Sequence, residues 1–346
     1  MDLKKVTVIV PCRNEEKFIE KVINNLLSQT YPRDKLEILF VDGLSEDRTR
    51  EIIKAYAQKY SFIKLIDNPY KFVPQAMNIG INNATGDIII RMDAHSEYPN
   101  DYIEKLVTYL EKLKADNVGG IWINTPPTNS LKAKAIALAL SSKFGVGNAL
   151  YRLGELREPS EVDTVPFGCY KKEIFSKIGL YDEDLIRNQD DELNARLRKY
   201  GGKIFLVPDV KIKYFTRDSW TKLFKMFYQY GYFKPLVNLK LGQITTWRQL
   251  IPPLFVIVLI ISLLLSFLFK KALFIFVILS LFYFTFNLLV SLLLSFSSRN
   301  LKLLPFLIIS FFLIHFSYGL GYLKGILDFI ILKKHLKKKL EVELTR

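Results

Sequence analysis

Residues Lys4 to Pro32 read KKVTVIVPCRNEEKFIEKVINNLLSQTYP. A short apolar run is followed by a polar loop and then by apolar residues at helical spacing. Phe18, Val22, Leu26 and Leu27 share one helical face, and Tyr31-Pro32 ends the pattern. The next stretch, KLEILFVDGLSEDRTREIIKAYAQKY, repeats the design, with a strand over Glu37–Val41, a turn, and a helix from about Asp47. FIKLIDN reads as a third strand and PQAMNIGINNA as a short helix. Thr85-Gly86 then leads to a fourth strand over Asp87–Met92, inside DIIIRMDAHSEYP. Apolar strands alternating with helices predict an α/β fold, a mostly parallel sheet flanked by helices.

The C-terminal part is of another kind. Ile251–Phe269, Ala272–Phe296 and Leu303–Leu323 are each about 20 residues of Leu, Ile, Phe and Val with almost no charge, enough to cross a hydrocarbon core of about 30 Å. These predict transmembrane helices rather than buried helices of a large soluble core. The apolar run after MDLKK is too short for an export signal, so the N-terminal domain is expected to stay in the cytosol. Two cysteines, Cys12 and Cys169, make no disulfide framework and are expected to be reduced.

The net charge of +15 suits either nucleic acid or anionic lipid. No nucleic-acid-binding module is recognisable. The bases instead flank the apolar segments, at Lys222, Lys225, Lys234, Lys240, Arg248 and in the tail Lys333–Lys339. Each is worth about 1 kcal/mol near an anionic surface, so anionic membrane lipids are the expected partner and nucleic acid is not. Three crossings from a cytosolic domain would leave that basic tail outside, against the positive-inside preference. An interfacial Lys324–Leu332 or a re-entrant segment would remove the conflict.

Ligands of parallel α/β sheets sit beyond the carboxyl ends of the strands. There the sequence gathers Pro11-Cys12-Arg13-Asn14-Glu15, Asp42-Gly43, Asp67-Asn68 and Arg91-Met92-Asp93-Ala94-His95. Neither a G-x-G-x-x-G turn after the first strand nor a P-loop is present, which disfavours dinucleotide oxidoreductases and P-loop NTPases. A nucleotide site without a glycine cradle needs its pyrophosphate neutralised by a cation. Asp93 and His95, two residues apart past the strand, are able to share one; the oxygen–imidazole pair favours Mn²⁺ and leaves Mg²⁺ open. A second constellation, IRNQDDELNARLRKYGGKIFLVP (Ile186–Pro208), opens a helix with Asp190, Asp191 and Glu192 and turns Leu193 and Leu197 inward. Helix-dipole stabilisation explains such acids; so does a general base at the mouth of a site.

The segments VTVIVPCRNEEKFI, ILFVDGLSEDRT, NIGINNATGDIIIRMDAHSEYP, NQDDELNARLRKYGGKIFLVP and FYQYGYFK, in that order, resemble glycosyltransferase family 2 with the GT-A fold. The resemblance is to the membrane-anchored branch that contains succinoglycan-type exopolysaccharide glucosyltransferases. It implies a GT-A domain over 1–218, an amphipathic interfacial segment over 219–250, about three transmembrane helices over 251–323 and a basic interfacial tail over 324–346. Pro11, Arg13, Asn14, Glu15 and Asp42 would bind the base and ribose of a UDP- or GDP-sugar, with Asn68 and Asn78 near the nucleotide. Arg91 would lie by the diphosphate, and Asp93 would be the first carboxylate of the family's D-x-D element. His95 departs from the second, which leaves the metal's identity in doubt.

By the same resemblance the catalytic base is Asp190, with Asp191 in reserve. Gln189 replaces a family glutamate, so Asp190 should ionise more readily than beside a carboxylate. The Q-x-x-R-W signature of processive members is absent at Gln229–Lys234, which implies single transfers. The implied activity is an inverting, metal-dependent hexosyl transfer to a lipid-linked, polyprenyl-based acceptor, at the cell membrane in a multi-pass chain. Two rivals stay open: a polyprenyl-phosphate glycosyltransferase, and a scaffold that binds nucleotide without catalysis. Ala135–Leu150 reads as a core helix or an acceptor loop, and Asn287 and His315 as helix–helix hydrogen-bonding residues or headgroup contacts.

Overall fold

The computed structural model describes residues 3–334. Of the expected 324–346 tail, His335 onward, including Lys337–Lys339, lies outside the described residues.

β1 (Val6–Cys12) is buried at every residue, as a central strand covered on both faces must be. There follow α1 (Ile19–Leu27), β2 (Leu36–Asp42), α2 (Thr49–Lys59), β3 (Ile63–Asp67), α3 (Val73–Asn83) and β4 (Ile88–Arg91). β1 pairs in parallel with β2 and β4, and β2 with β3. α1 buries Ile19, Val22, Ile23 and Leu26. Phe18, expected on that face, does not join it. It occupies the N-cap position at φ −122°, so the helical period is counted from Ile19 and the Phe18 ring stays 46% exposed. α3 lies tight on β1: a Cβ on Gly80 would come within 2.6 Å of the Ile9 side chain.

Beyond β4 the sheet becomes antiparallel. The elements are β5 (Ser96–Glu97), α4 (Tyr102–Lys112), β6 (Asn117–Thr125), the helices α5 (Leu131–Leu140), α6 (Lys143–Val146) and α7 (Leu150–Leu153), then β7 (Ser160–Glu161), β8 (Cys169–Lys171), α8 (Glu173–Ile178), α9 (Gln189–Lys199) and β9 (Ile204–Phe215). Strand order is β3-β2-β1-β4-β8-β6-β9-β5, with β7 on β9. The result is a mixed sheet with flanking helices, the GT-A type of architecture. β8 runs antiparallel to β4 and to β6.

The chain packs as two compact units. Of the described residues, one takes those up to Ile123 and Gly154–Tyr214; the other takes Asn124–Leu153 and those from Phe215 to Lys334. The second contains α10 (Trp220–Leu241), α11 (Ile251–Ser266), α12 (Lys270–Ser297) and α13 (Leu304–Gly325), then a π-helical turn over Ile326–Ile331. Among the described residues three segments, Trp247–Ser266, Lys270–Ser297 and Leu301–Ile331, are long and apolar enough to cross a membrane. α12 presents Phe274, Phe282 and Leu293 outward with most of their surface exposed, an arrangement that lipid, not water, makes favourable.

Inside this unit Asn287 and His315 find hydrogen-bond partners on neighbouring elements, which an apolar surrounding favours. Asn287 Nδ2 donates to the Ile308 carbonyl at 3.0 Å and accepts from Ser291 through Oδ1 at 3.1 Å. His315 Nε2 lies 2.7 Å from the Phe144 carbonyl, and Nδ1 lies 2.9 Å from the Tyr283 hydroxyl. A carbonyl only accepts, so Nε2 carries the proton and Nδ1 accepts from Tyr283. Ala135, Ile136, Ala139 and Leu140 of α5 pack with Leu223 and Met226 of α10 and Leu307 and Phe311 of α13; of the stretch Ala135–Leu150 the part up to Leu140 is core helix, and past Ser141 it breaks into α6 and a turn. α10 and α13 meet backbone to backbone. A Cβ on Gly231 would collide with the Tyr318 carbonyl, and one on Gly321 with that of Tyr228, the close approach that small residues allow.

Candidate active site

Cys12, Asp42 and Asp67 end three neighbouring parallel strands in register. Two aspartates side by side on one sheet edge repel, and the fold answers with Arg50, from the start of α2. Its Nη1 donates to Asp42 at 2.6 Å and its Nη2 to Asp67 at 2.7 Å. Those two carboxylates raise the Arg50 pKa above its ordinary value. Asp42, fully buried, also accepts from the Ser45 backbone N–H at 2.9 Å and from the Ser45 hydroxyl. Asn14 stands in the left-handed region at φ 54°, which asparagine tolerates. From there its N–H donates to Ser45 Oγ at 2.8 Å and its Oδ1 accepts from the Glu46 N–H at 2.9 Å. The loops after β1 and β2 are thereby stitched together around Pro11–Glu15. Arg13 packs its methylenes against Gly43, and its Nε is buried with no hydrogen-bond partner. Asn68 shapes the turn after β3, donating to the Phe72 carbonyl and accepting from the Tyr70 N–H.

The end of β4 is the centre of charge. Arg91 Nε and Nη2 donate to Asp93 Oδ1 and Oδ2 at 2.9 and 3.1 Å, while Nη1 lies 2.8 and 2.9 Å from the two oxygens of Asp190. The Arg91 side chain is 6% exposed; its guanidinium carbon lies 5.6 Å from the centre of the Phe167 ring. Phe167 holds φ at 50°, a strained conformation for a bulky residue. Burial alone would lower the Arg91 pKa, but Asp190 and Asp93 outweigh it and push it well up. For Asp190 burial is the largest influence and raises its pKa; Asp93 and Asp191 add to the rise and Arg91 opposes it. A carboxylate so disposed is a better proton acceptor than an exposed one.

Asp190 reaches this position because α9 starts abruptly. Asn188 sits in the left-handed region at φ 61°, and the acids of the first turn are balanced by Arg196, Arg198 and Lys199 in the last. Glu192 forms a two-point pair with Arg196 at 2.8 and 2.7 Å. Arg196 also donates to the carbonyls of Ile178 and Leu180. Asp191 accepts from the Thr164 hydroxyl at 3.3 Å.

His95 Nε2 lies 2.9 Å from Glu15 Oε2, and the Phe18 ring is 5.1 Å from the imidazole. The Asp93 N–H donates to the Tyr98 hydroxyl at 2.7 Å, which fixes the turn between the two expected cation ligands. Among the described residues no group of three His, Cys, Asp or Glu is placed to hold a metal ion. A closed structural zinc site is therefore not what the donor set fits. One carboxylate and one imidazole fit a hard divalent cation that takes its remaining ligands from phosphate and water.

Asn78 spends its amide on the fold. It donates to the Tyr181 carbonyl at 2.9 Å and to Glu183 at 3.0 Å, and accepts from the Tyr181 N–H. Together with Arg196 it pins the segment before α9. Sequence reasoning missed Arg50, Tyr98, Phe167 and Arg196. Only Arg50 left a readable signal, since two strand-end aspartates call for a cation near the following helix.

The Glycosyl transferase family 2 model matches residues 7–179. A dolichyl N-acetyl-alpha-D-glucosaminyl phosphate 3-beta-D-2,3-diacetamido-2,3-dideoxy-beta-D-glucuronosyltransferase of Methanococcus voltae is 32% identical over 240 residues, 67% of this chain and 73% of the relative. The succinoglycan biosynthesis protein ExoA of Rhizobium meliloti is 32% identical over 247 residues, 71% of this chain and 73% of the relative. A mannosyltransferase from Pyrobaculum calidifontis, solved with GDP-Man and Mn²⁺, is 19% identical and superposes with a TM-score of 0.59 over 94% of this chain and 88% of that one; this likeness bears on the fold alone. With the family's segments in order and its fold in place, the chain belongs to glycosyltransferase family 2 and is a glycosyltransferase.

Proposed function

We propose that the chain is an inverting, metal-dependent glycosyltransferase that moves a sugar from a UDP- or GDP-sugar to a hydroxyl of a lipid-linked saccharide, in polysaccharide or glycan assembly. The observation that carries this reading is the pairing of Asp190 and Asp93 across one guanidinium. A candidate base thus stands beside a candidate cation ligand, in a chain whose described residues include three helices able to cross a membrane. The printed name of the Methanococcus voltae relative describes a dolichyl-linked sugar acceptor, which supports a lipid-linked acceptor here.

In this reading Pro11–Glu15, Asp42 and Asn68 bind the nucleoside, and Asp93 and His95 hold Mn²⁺ or Mg²⁺. The ion, when bound, supplies charge neutralisation for the leaving diphosphate. Asp190 takes the proton of the acceptor hydroxyl. The acceptor oxygen bonds to the anomeric carbon as the bond from that carbon to the diphosphate oxygen breaks, and attack from the opposite face inverts the configuration. Asn78 holds the loop before α9 rather than the nucleotide. The catalytic unit faces the cytosol, the helices cross the cell membrane, and the flanking lysines meet anionic headgroups.

Membranes carrying the chain, incubated with radiolabelled nucleotide sugars and extracted for lipid, test the proposal. Label should enter the lipid fraction, and Asp190→Asn should lower the rate by about 10²–10⁴. A variant that kept most of its activity would favour a lipid phosphate as nucleophile, since a phosphate dianion needs no base. Failure of UDP and GDP to bind with Mn²⁺ in calorimetry would reject the enzyme mechanism.

A further inference from the structure

We propose that Arg91 is a positioning residue that couples the cation side of the site to the proton side, by competing with the cation for Asp93 while holding Asp190. The inference rests on the reading of Asp93 as a cation ligand.

The geometry points to it directly. Arginine offers five N–H donors in one plane, and here the fork Nε/Nη2 is committed to Asp93 while Nη1 serves both oxygens of Asp190. Each of the four carboxylate oxygens already accepts one of these donors, so a cation reaching Asp93 shares its oxygens with the Arg91 fork. The Arg91 side chain is buried, with the Phe167 ring centre 5.6 Å from its guanidinium carbon, so the group does not swing freely. The trio of Arg91, Asp93 and Asp190 carries a formal charge of −1, an incomplete neutralisation that favours a cation. A divalent ion on Asp93 competes with the Arg91 fork for those oxygens and loosens it. The released Nε–H and Nη2–H are then the donors that can meet an incoming phosphate, while Nη1 keeps Asp190 in place. Cation and phosphate binding are thereby linked through one side chain, and such linkage is reciprocal.

The test is Mn²⁺ binding to the purified full-length chain in detergent without nucleotide, read from the electron paramagnetic resonance signal of free Mn²⁺. Arg91→Gln should bind Mn²⁺ roughly tenfold or more tightly than the wild type, within the usual range of coupling between linked sites. Arg91→Lys, which keeps the charge but cannot span both carboxylates, should give a smaller gain. Asp93→Asn should lose the binding in every background. A gain of affinity is not something a misfolded variant produces, and a gain in Arg91→Lys, which keeps the charge, is not the mere loss of a repelling cation. Both arginine variants should lose transfer activity chiefly in kcat. Unchanged or weaker Mn²⁺ binding in both, with the Asp93 dependence intact, would overturn the coupling and leave the cation site standing. Binding indifferent to Asp93→Asn, or absent throughout, would overturn the cation assignment and the coupling with it.

Discussion

Glu15 and His95 face each other across the rim, Oε2 to Nε2 at 2.9 Å, with the Glu15 side chain buried. The residue that stands where the family carries a second carboxylate is thus already opposed by a carboxylate. His95→Asp alone would set two acids against each other and should weaken metal-dependent UDP or GDP binding. Adding Glu15→Gln should restore it and move the preference from Mn²⁺ toward Mg²⁺, as an all-oxygen set favours. Calorimetry with each ion decides.

Asp191 is tied to Thr164 while Asp190 is tied to Arg91. Asp191→Asn should therefore keep kcat within about tenfold, against the loss of about 10²–10⁴ for Asp190→Asn. Paired turnover assays on the same membranes separate the two.

Arg50→Met would leave Asp42 and Asp67 adjacent and uncompensated. Loss of the charge-assisted bond on the buried Asp42, which keeps its Ser45 donors, should cost about 1–3 kcal/mol of stability, and Asp67→Asn in the same chain should recover part of it by removing the repulsion. Thermal unfolding of the solubilised chain reads both effects.

Glu37 accepts from Lys64 at 2.8 Å, the Thr85 N–H at 2.8 Å and the Thr7 hydroxyl at 2.7 Å. Burial pushes its pKa up, but these bonds outweigh it and pull the value from 4.5 to about 2. A lowered carboxylate pKa stabilises the fold above the unfolded value and ceases to as pH falls through the folded one. Linkage makes this worth about 3 kcal/mol at neutral pH, lost progressively as pH falls below about 4.5 and through about 2. Glu37→Gln should be less stable than wild type at pH 7, and the gap should narrow toward pH 2 in denaturant titrations.

Gly321→Ala would drive a methyl group into the Tyr228 carbonyl and force α10 from α13, at about 1–3 kcal/mol. Leu293→Ala, on an outward face of α12, should be neutral. Melting of the detergent-solubilised protein compares them.

The local pattern of apolar residues was enough to read the alternating strands and helices, because periodicity is a short-range property of the chain. It placed β2, β3 and α3 within a few residues and found the three apolar helices. It misjudged Phe18 because a helix start is set by one backbone angle that spacing does not reveal. The pairing of the antiparallel half of the sheet was not legible, since which strand lies beside which depends on the path of the whole chain.

The same division holds at the site. Sequence alone determined that Asp42, Asp67, Arg91, Asp93 and His95 would gather where parallel strands end, because strand polarity decides which end carries the loops. Only the tertiary structure decided what those groups do to one another. Arg91 and Asp190 are 99 residues apart, and only the packing of α9 against the end of β4 brings them within a hydrogen bond. Charge compensation in a buried site is a property of distances, and distances are made by the fold.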